Sequence, residues 1–133
     1  MDHILLLEDD FRLAMFWQHG LEHAGFRVTH CMTAADAIQT FDSQPVDLVI
    51  SDILIRDENR KLKPEGGLSL VAHISLTRKK IPVLCVTGAD QSLDLDKHLE
   101  LFNVHKTFQK PIDVTEIVRA SIDTLRQFRN ECT

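Results

Sequence analysis

The chain alternates short apolar runs with helical stripes along almost its whole length. Each run is long enough for one strand, and the segment after the first run carries Ala14, Trp17 and Leu21 at helical spacing. The run 47–51 is apolar throughout its centre, as expected for a strand that is covered on both faces. Strands that alternate with helices are typical of a parallel sheet between two helical layers. We therefore predict an α/β fold with five strands and five helices in strict alternation.

Local signals predict where the helices begin and end. Gly25 is placed to end the first helix. Three residues are predicted to cap helix N-termini: Thr33, Asp90 and Asp113. Glu116 completes a capping-box pattern before the clearest amphipathic helix, whereas Asp90 precedes a weaker pattern over 90–102. The segment 56–67 carries a proline and a glycine pair, and we expect it to be irregular.

Bulk composition excludes several classes of protein. A chain of 133 residues with 44% hydrophobic and 26% charged residues suits one globular domain. The net charge of −5 argues against a nucleic-acid-binding surface. No apolar run approaches a membrane span, and the N-terminus lacks a signal-peptide pattern. The three cysteines are far apart and form no CxxC motif, so we expect reduced thiols and a cytoplasmic location.

Four apolar runs end in ionisable or hydroxyl side chains. The groups that follow them are Glu8 and Asp9, Asp52, Thr87, and Lys110. In an open parallel sheet, ligands bind outside the carboxyl ends of the strands, so we expect these groups to converge on one edge. Carboxylates, a hydroxyl and an ammonium group suit Mg²⁺ and phosphate.

The order and spacing of these motifs resemble the receiver domain of bacterial two-component response regulators, of the chemotaxis-regulator type. The matching pieces are LLLEDD at 5–10, DLVISD at 47–52, VTGA at 86–89 and FQKP at 108–111. The resemblance implies a flavodoxin-like (βα)5 three-layer sandwich with a parallel five-stranded sheet of order 2-1-3-4-5. We expect a single receiver domain over 1–133 and no output domain in this chain.

The resemblance also assigns roles to individual residues. Asp52 matches the phosphoacceptor, Thr87 the hydroxyl that bonds a phosphoryl oxygen, and Lys110 the lysine that pairs with the phosphoryl group. The implied Mg²⁺ ligands are Glu8, Asp9, Asp52 and the backbone carbonyl of Leu54. Such a site suits phosphoryl transfer, which needs positioning and charge neutralisation. Without metal, the neighbouring carboxylates repel each other, so Mg²⁺ is expected to stabilise the protein.

The implied function is signalling rather than turnover of a separate substrate. A phosphohistidine on a sensor histidine kinase or a histidine phosphotransfer protein would phosphorylate the receiver, with self-catalysed transfer and slow autodephosphorylation. The added charge would shift a surface toward a downstream protein target, and that surface is formed by the predicted fourth helix (90–102), the fifth predicted strand (105–109) and the last predicted helix (114–128). Whether the protein forms a homodimer through that face is left open by the sequence. We expect no direct binding to nucleic acid or to a membrane.

Two departures from the family pattern bear on this output. Thr107 occupies the position three residues before the lysine, where the family has Tyr or Phe, and strand alternation puts Phe108 on the opposite face. The loop over 56–67 is longer than usual in the family. It could gate the site or contact a partner, or it could be a tolerated surface insertion, and both interpretations stay open.

Several alternatives accompany the receiver hypothesis. The chain could be a diffusible regulator, a phosphorelay shuttle, or the isolated receiver of a longer response regulator. A Mg²⁺-dependent phosphatase with an aspartyl nucleophile would carry a second acid at the position of Leu54. A flavin-binding module would need a hydroxyl- and glycine-rich phosphate loop after the first strand, where this chain is acidic.

Other polar and aromatic residues have simpler interpretations. Asp10 is interpreted as a surface or helix-cap residue rather than a metal ligand. His19 and His23 have the i, i+4 spacing of a metal pair but lack an obvious third ligand, so we expect two solvent-exposed histidines. Trp17 lies on an apolar stripe and is expected in the core.

Overall fold

The structure is a computed structural model that describes residues 1–53, 55–56, 62–77, 80–88 and 104–132. The strands described are β1 His3–Leu7, β2 Arg27–Cys31, β3 Leu48–Asp52, β4 Ile55–Arg56, β5 Leu62–Lys63, β6 Val83–Thr87 and β7 Lys106–Gln109. The helices described are α1 Phe11–His23, α2 Ala34–Ser43, α3 Pro64–Leu76 and α4 Val114–Cys132.

Five of the strands form one parallel sheet in the order β2-β1-β3-β6-β7. Numbered among themselves, these strands have the order 2-1-3-4-5, so the predicted flavodoxin-like topology is confirmed. The reversal of strand order lies beside β1, where open sheets of this kind place their ligand sites.

Helices cover both faces of the sheet, and each face has its own core. Alternate strand residues separate the two cores, because successive side chains of a strand point to opposite faces. Leu5, Val49 and Cys85 pack with α2 and α3 on one face, whereas the neighbouring Ile50 and Leu84 pack with α1 and α4 on the other. The central strands β1, β3 and β6 are buried along their whole length, as the apolar runs predict.

The helix termini follow the local sequence signals. The side chain of Asp10 caps α1 by accepting a hydrogen bond from the N–H of Leu13, and Thr33 caps α2 in the same way. Gly25 follows the end of α1 with φ of 101°, a left-handed conformation that favours glycine. The C-terminal helix α4 begins directly after Asp113, as expected.

The prediction of an irregular segment over 56–67 was wrong in part. Short strands β4 and β5 pair there in antiparallel fashion, and α3 begins at Pro64. Proline is favoured in the first turn of a helix because its missing N–H needs no partner there. The helix predicted over 90–102 lies outside the described residues. No helix in the described part of the chain has both the length and the apolar character that a membrane span requires.

Candidate functional site

Four neighbouring strands bring the predicted site residues to one edge of the sheet. Glu8 directly follows β1, Asp52 ends β3, Thr87 ends β6, and Lys110 directly follows β7. Because β1, β3, β6 and β7 are adjacent and parallel, their carboxyl ends meet at the same edge.

The ammonium group of Lys110 lies between two buried carboxyl groups. Its Nζ donates hydrogen bonds to Asp52 Oδ2 at 2.9 Å and to Glu8 Oε1 at 3.2 Å. Nζ also lies 3.0 Å from Glu8 Oε2, which is within ion-pair distance but outside hydrogen-bond geometry. Glu8 is fully buried and Asp52 is 3% exposed, so Lys110 balances charges that water hardly reaches.

Burial and charge act in opposite directions at this site. Burial raises the pKa of Glu8 to about 8, and repulsion by the Asp52 carboxylate adds to the increase. The charge of Lys110 lowers the pKa of Glu8, and so does a hydrogen bond of 3.1 Å that the N–H of Asp10 donates to Glu8 Oε1. Burial by itself would lower the pKa of Lys110, but the attraction of the two carboxylates outweighs burial and raises that pKa. Lys110 is therefore held in its charged form.

The cluster has the ligand chemistry of a Mg²⁺ site. Carboxylate oxygens of Glu8, Asp9 and Asp52 all lie within 4.8 Å of one another. Among the described residues, Glu8 Oε2 is a buried oxygen that finds no hydrogen-bond donor. A bound cation would satisfy such an atom, and Mg²⁺ prefers oxygen ligands. Glu8, Asp9 and Asp52 therefore fit this metal.

Thr87 connects the site to the edge strand. Its hydroxyl donates to the carbonyl oxygen of Phe108 at 3.3 Å, and its own carbonyl accepts a hydrogen bond from the N–H of Lys110 at 2.7 Å. The residue is 8% exposed. The hydroxyl would have to exchange the Phe108 carbonyl for a ligand oxygen in order to take part in binding.

Sequence reasoning missed two residues at this edge. His30 Nε2 lies 2.7 Å from the carbonyl oxygen of Glu8, and the ring of Trp17 lies 6.0 Å from Lys110 Nζ. Trp17 is 1% exposed and belongs to the core, as expected. The His30 contact depends on the pairing of β1 with β2, which places His30 opposite Leu6. A signal for it in the sequence would have required the strand register.

Two further expectations about side chains agree with the structure, and a third lies outside the described residues. His19 and His23 are exposed on α1, as expected. Thr107 is exposed, whereas Phe108 is half-buried against the core on the α1 and α4 face, so the two side chains do point to opposite faces. Leu54, the expected source of a backbone carbonyl ligand, lies outside the described residues.

Comparisons with known proteins agree with this architecture. The sequence matches the family model described as "Response regulator receiver domain" over residues 4–121. It is 30% identical over 131 residues to the uncharacterized transcriptional regulatory protein YcbL of Bacillus subtilis (strain 168), a match that covers 96% of this chain and 54% of YcbL. The chain therefore spans about half the length of that relative.

Two further comparisons concern proteins of similar length. The response regulator receiver protein CpdR of Brucella abortus (strain 2308) is 25% identical over 118 residues, with 89% of this chain and 92% of CpdR covered. A CheY-like receiver domain protein from Methanospirillum hungatei JF-1 shares the fold, with a TM-score of 0.85 over 98% of both chains at 21% identity. By its family match over 4–121 and its sheet order, the chain belongs to the response regulator receiver domain family.

Proposed function

We propose that the chain accepts a phosphoryl group on Asp52 and transmits the signal by protein–protein contact. The observation that carries this proposal is the placement of the Asp52 carboxylate, 2.9 Å from Lys110 Nζ and within a cluster of three carboxyl groups. Transfer to a carboxylate brings like charges together, so the acceptor needs cations fixed beside it. Asp52 has one in Lys110 and the ligands for a second in Glu8 and Asp9.

The transfer step assigns a role to each of these groups. A carboxylate oxygen of Asp52 attacks the phosphorus atom of a phosphohistidine, the P–N bond breaks, and the imidazole nitrogen leaves with the electron pair. Lys110 balances the charge of the phosphoryl oxygens. Mg²⁺, held by Glu8, Asp9, Asp52 and the proposed carbonyl of Leu54, would neutralise further charge on the same oxygens.

The proposed switch begins at Thr87. An acyl phosphate adds close to two negative charges and new acceptor oxygens near Asp52. The Thr87 hydroxyl would exchange its bond to the Phe108 carbonyl for one of these oxygens, which would loosen a link between β6 and β7. Thr107 is exposed on β7 in place of the aromatic residue usual in the family, so any further rearrangement would start from a different side chain.

The proposed partners follow from this chemistry. A sensor histidine kinase or a histidine phosphotransfer protein would donate the phosphoryl group in the cytoplasm, and a downstream protein would bind the altered surface. We propose one receiver domain over 1–133 with no output domain within these residues. The chain would act on itself rather than on a separate substrate, and slow hydrolysis of the acyl phosphate would reset it.

The comparisons also favour a second arrangement. Because the chain spans 54% of YcbL, it could be the receiver part of a longer response regulator. The match over 92% of CpdR favours the single-domain arrangement, in which a diffusible regulator or a phosphorelay shuttle are the two candidate outputs.

Transfer from a labelled phosphohistidine donor tests the proposed function. The wild-type protein should take up label in Mg²⁺ and lose it in alkali or hydroxylamine, because an acyl phosphate is labile to both. The chelator EDTA should abolish uptake. Label that resists both treatments would mean that a hydroxyl, not a carboxylate, had been phosphorylated, and the proposal would be wrong.

A further inference from the structure

The peptide between the two acidic residues after β1 is held by a side chain from β2. β1 ends at Leu7, so the carbonyl of Glu8 lies beyond the ladder of the strand. The ring Nε2 of His30 lies 2.7 Å from that carbonyl oxygen. A carbonyl oxygen can only accept a hydrogen bond, so Nε2 carries the proton and donates it.

This contact acts on the backbone that connects two proposed metal ligands. The Glu8 carbonyl belongs to the Glu8–Asp9 peptide, and its orientation determines the direction in which the Asp9 side chain leaves the backbone. The N–H of Glu8 is held separately, by the carbonyl of Cys31 at 3.2 Å. The carboxyl group of Glu8 is held by Lys110 and by the N–H of Asp10. The His30 bond therefore adds a constraint at the junction of the acidic pair.

We propose that His30 is a positioning residue for Mg²⁺ binding, because its Nε2–H fixes the Glu8–Asp9 peptide and so orients the Asp9 carboxyl group beside that of Glu8. The inference rests on the proposed function, since it requires a metal at Glu8 and Asp9. His30 acts through the carbonyl and does not touch the metal. Groups that orient metal ligands contribute to metal affinity, because the ligands then need no reordering when the ion binds.

Three variants separate this role from a general effect on the fold. His30→Leu removes the N–H donor and keeps a side chain of similar bulk. His30→Gln is neutral but keeps an N–H donor of similar reach. His23→Leu removes an exposed histidine on α1 and is the matched control. For each variant, the Mg²⁺ dissociation constant is measured by titration calorimetry and the free energy of unfolding is measured by urea denaturation in EDTA.

We expect His30→Leu to raise the Mg²⁺ dissociation constant by about 10-fold. His30→Gln should restore most of the affinity, and His23→Leu should bind as the wild type does. A merely structural role would lower the free energy of unfolding and leave the dissociation constant unchanged. If His30→Leu does not fold, His30→Asn replaces it, because its shorter amide stops short of the Glu8 carbonyl.

The possible outcomes distinguish this inference from the proposed function. Wild-type affinity in His30→Leu, or equal weakening in the Gln and Leu variants, would overturn the role of the His30 N–H and leave the phosphoacceptor proposal standing. A wild-type protein that binds no Mg²⁺ would overturn both.

Discussion

Glu8, Asp52 and Lys110 form one electrostatic unit. Lys110 Nζ contacts both carboxyl groups, and both are almost entirely buried. A change in the charge of one group therefore alters the free energy of the other two. Burial, with repulsion by the Asp52 carboxylate, outweighs the attraction of Lys110 and raises the pKa of Glu8 although a cation lies beside it.

The raised pKa of Glu8 predicts a pH dependence of stability in the absence of metal. The pKa of Glu8 is about 8 in the folded protein against an ordinary value of 4.5. Between these two pH values the folded protein therefore holds a proton that the unfolded chain has released. This contribution to stability is complete below about pH 4.5 and is lost as pH rises through about 8, at up to about 1.4 kcal/mol per pH unit. Urea denaturation in EDTA at about pH 6 and about pH 8 measures it.

Glu8→Gln supplies the control for this pH dependence. The variant cannot titrate at residue 8, so its free energy of unfolding should fall less between the two pH values than that of the wild type. Equal slopes in the two proteins would contradict the prediction, because they would assign the pH dependence to other groups.

The sequence predicted the polar residues at the strand ends but not their mutual contacts. Asp52 and Lys110 could be placed at one edge because each lies at the end of a predicted strand and parallel strands align their ends. The contacts of Lys110 with Glu8 and Asp52, and the hydrogen bond of His30 to the Glu8 carbonyl, depend on how far side chains reach across the sheet. Neither leaves a pattern in the local sequence, because the partners of Lys110 are far apart along the chain.

At the scale of elements, α1 and α4 approach closely at Gly20. A Cβ at this position would lie 2.6 Å from Cγ2 of Val114, so one helix or side chain would have to move. Val114 is β-branched and has little rotamer freedom with which to adapt. The absence of a side chain at Gly20 therefore lets the two helices pack over the same face of the sheet.

Gly20→Ala should lower the free energy of unfolding by about 1 kcal/mol. Overpacking costs about 1–3 kcal/mol, and the better helix propensity of alanine offsets about 1 kcal/mol of it. Urea denaturation measures the change. In a Val114→Ala background the clash is gone, so the same substitution should be neutral or stabilising. A loss of similar size in both backgrounds would show that contact with Val114 is not the cause.

Elements differed in how well the sequence predicted them. The central strands β1, β3 and β6 were predictable because each is a buried apolar run, and α1 because Asp10 and Gly25 mark its ends. The pair β4 and β5 was missed because two-residue strands are too short for any alternation. The start of α3 was missed because its first turn contains two glycines, which are poor helix formers.

Two of the three thiols lie in the part of the chain whose side chains the structure describes, and both are buried. Cys85 is fully buried and Cys31 is 7% exposed, and burial raises the pKa of both, to about 12 for Cys85. Thiolates are the reactive form, so both side chains should react only when the fold opens.

Thiol labelling in a Cys132→Ser background tests this property. Cys31 and Cys85 should react with a disulfide reagent at least about 100-fold more slowly in buffer than in urea. Both thiols belong to the core that packs with α2 and α3, so fast labelling in buffer would mean that this core opens readily and would contradict its tight packing.

Mg²⁺ should stabilise the whole molecule. At a concentration 100-fold above its dissociation constant, a ligand that binds only the folded state adds about 2.7 kcal/mol to the free energy of unfolding. Thermal unfolding with Mg²⁺ and with EDTA measures this, and Asp9→Asn should reduce the difference because it removes the charge of a proposed ligand. No difference in the wild type would contradict a metal site at this edge.

The assignment of Asp52 as the phosphoacceptor is tested by the intact mass of the protein after incubation with Mg²⁺ and a small-molecule phosphodonor, measured beside Asp52→Asn. We predict one phosphoryl adduct on the wild type, none on the variant, and none on either protein in chelator. An equal adduct on Asp52→Asn would contradict the assignment of Asp52 as the phosphoacceptor.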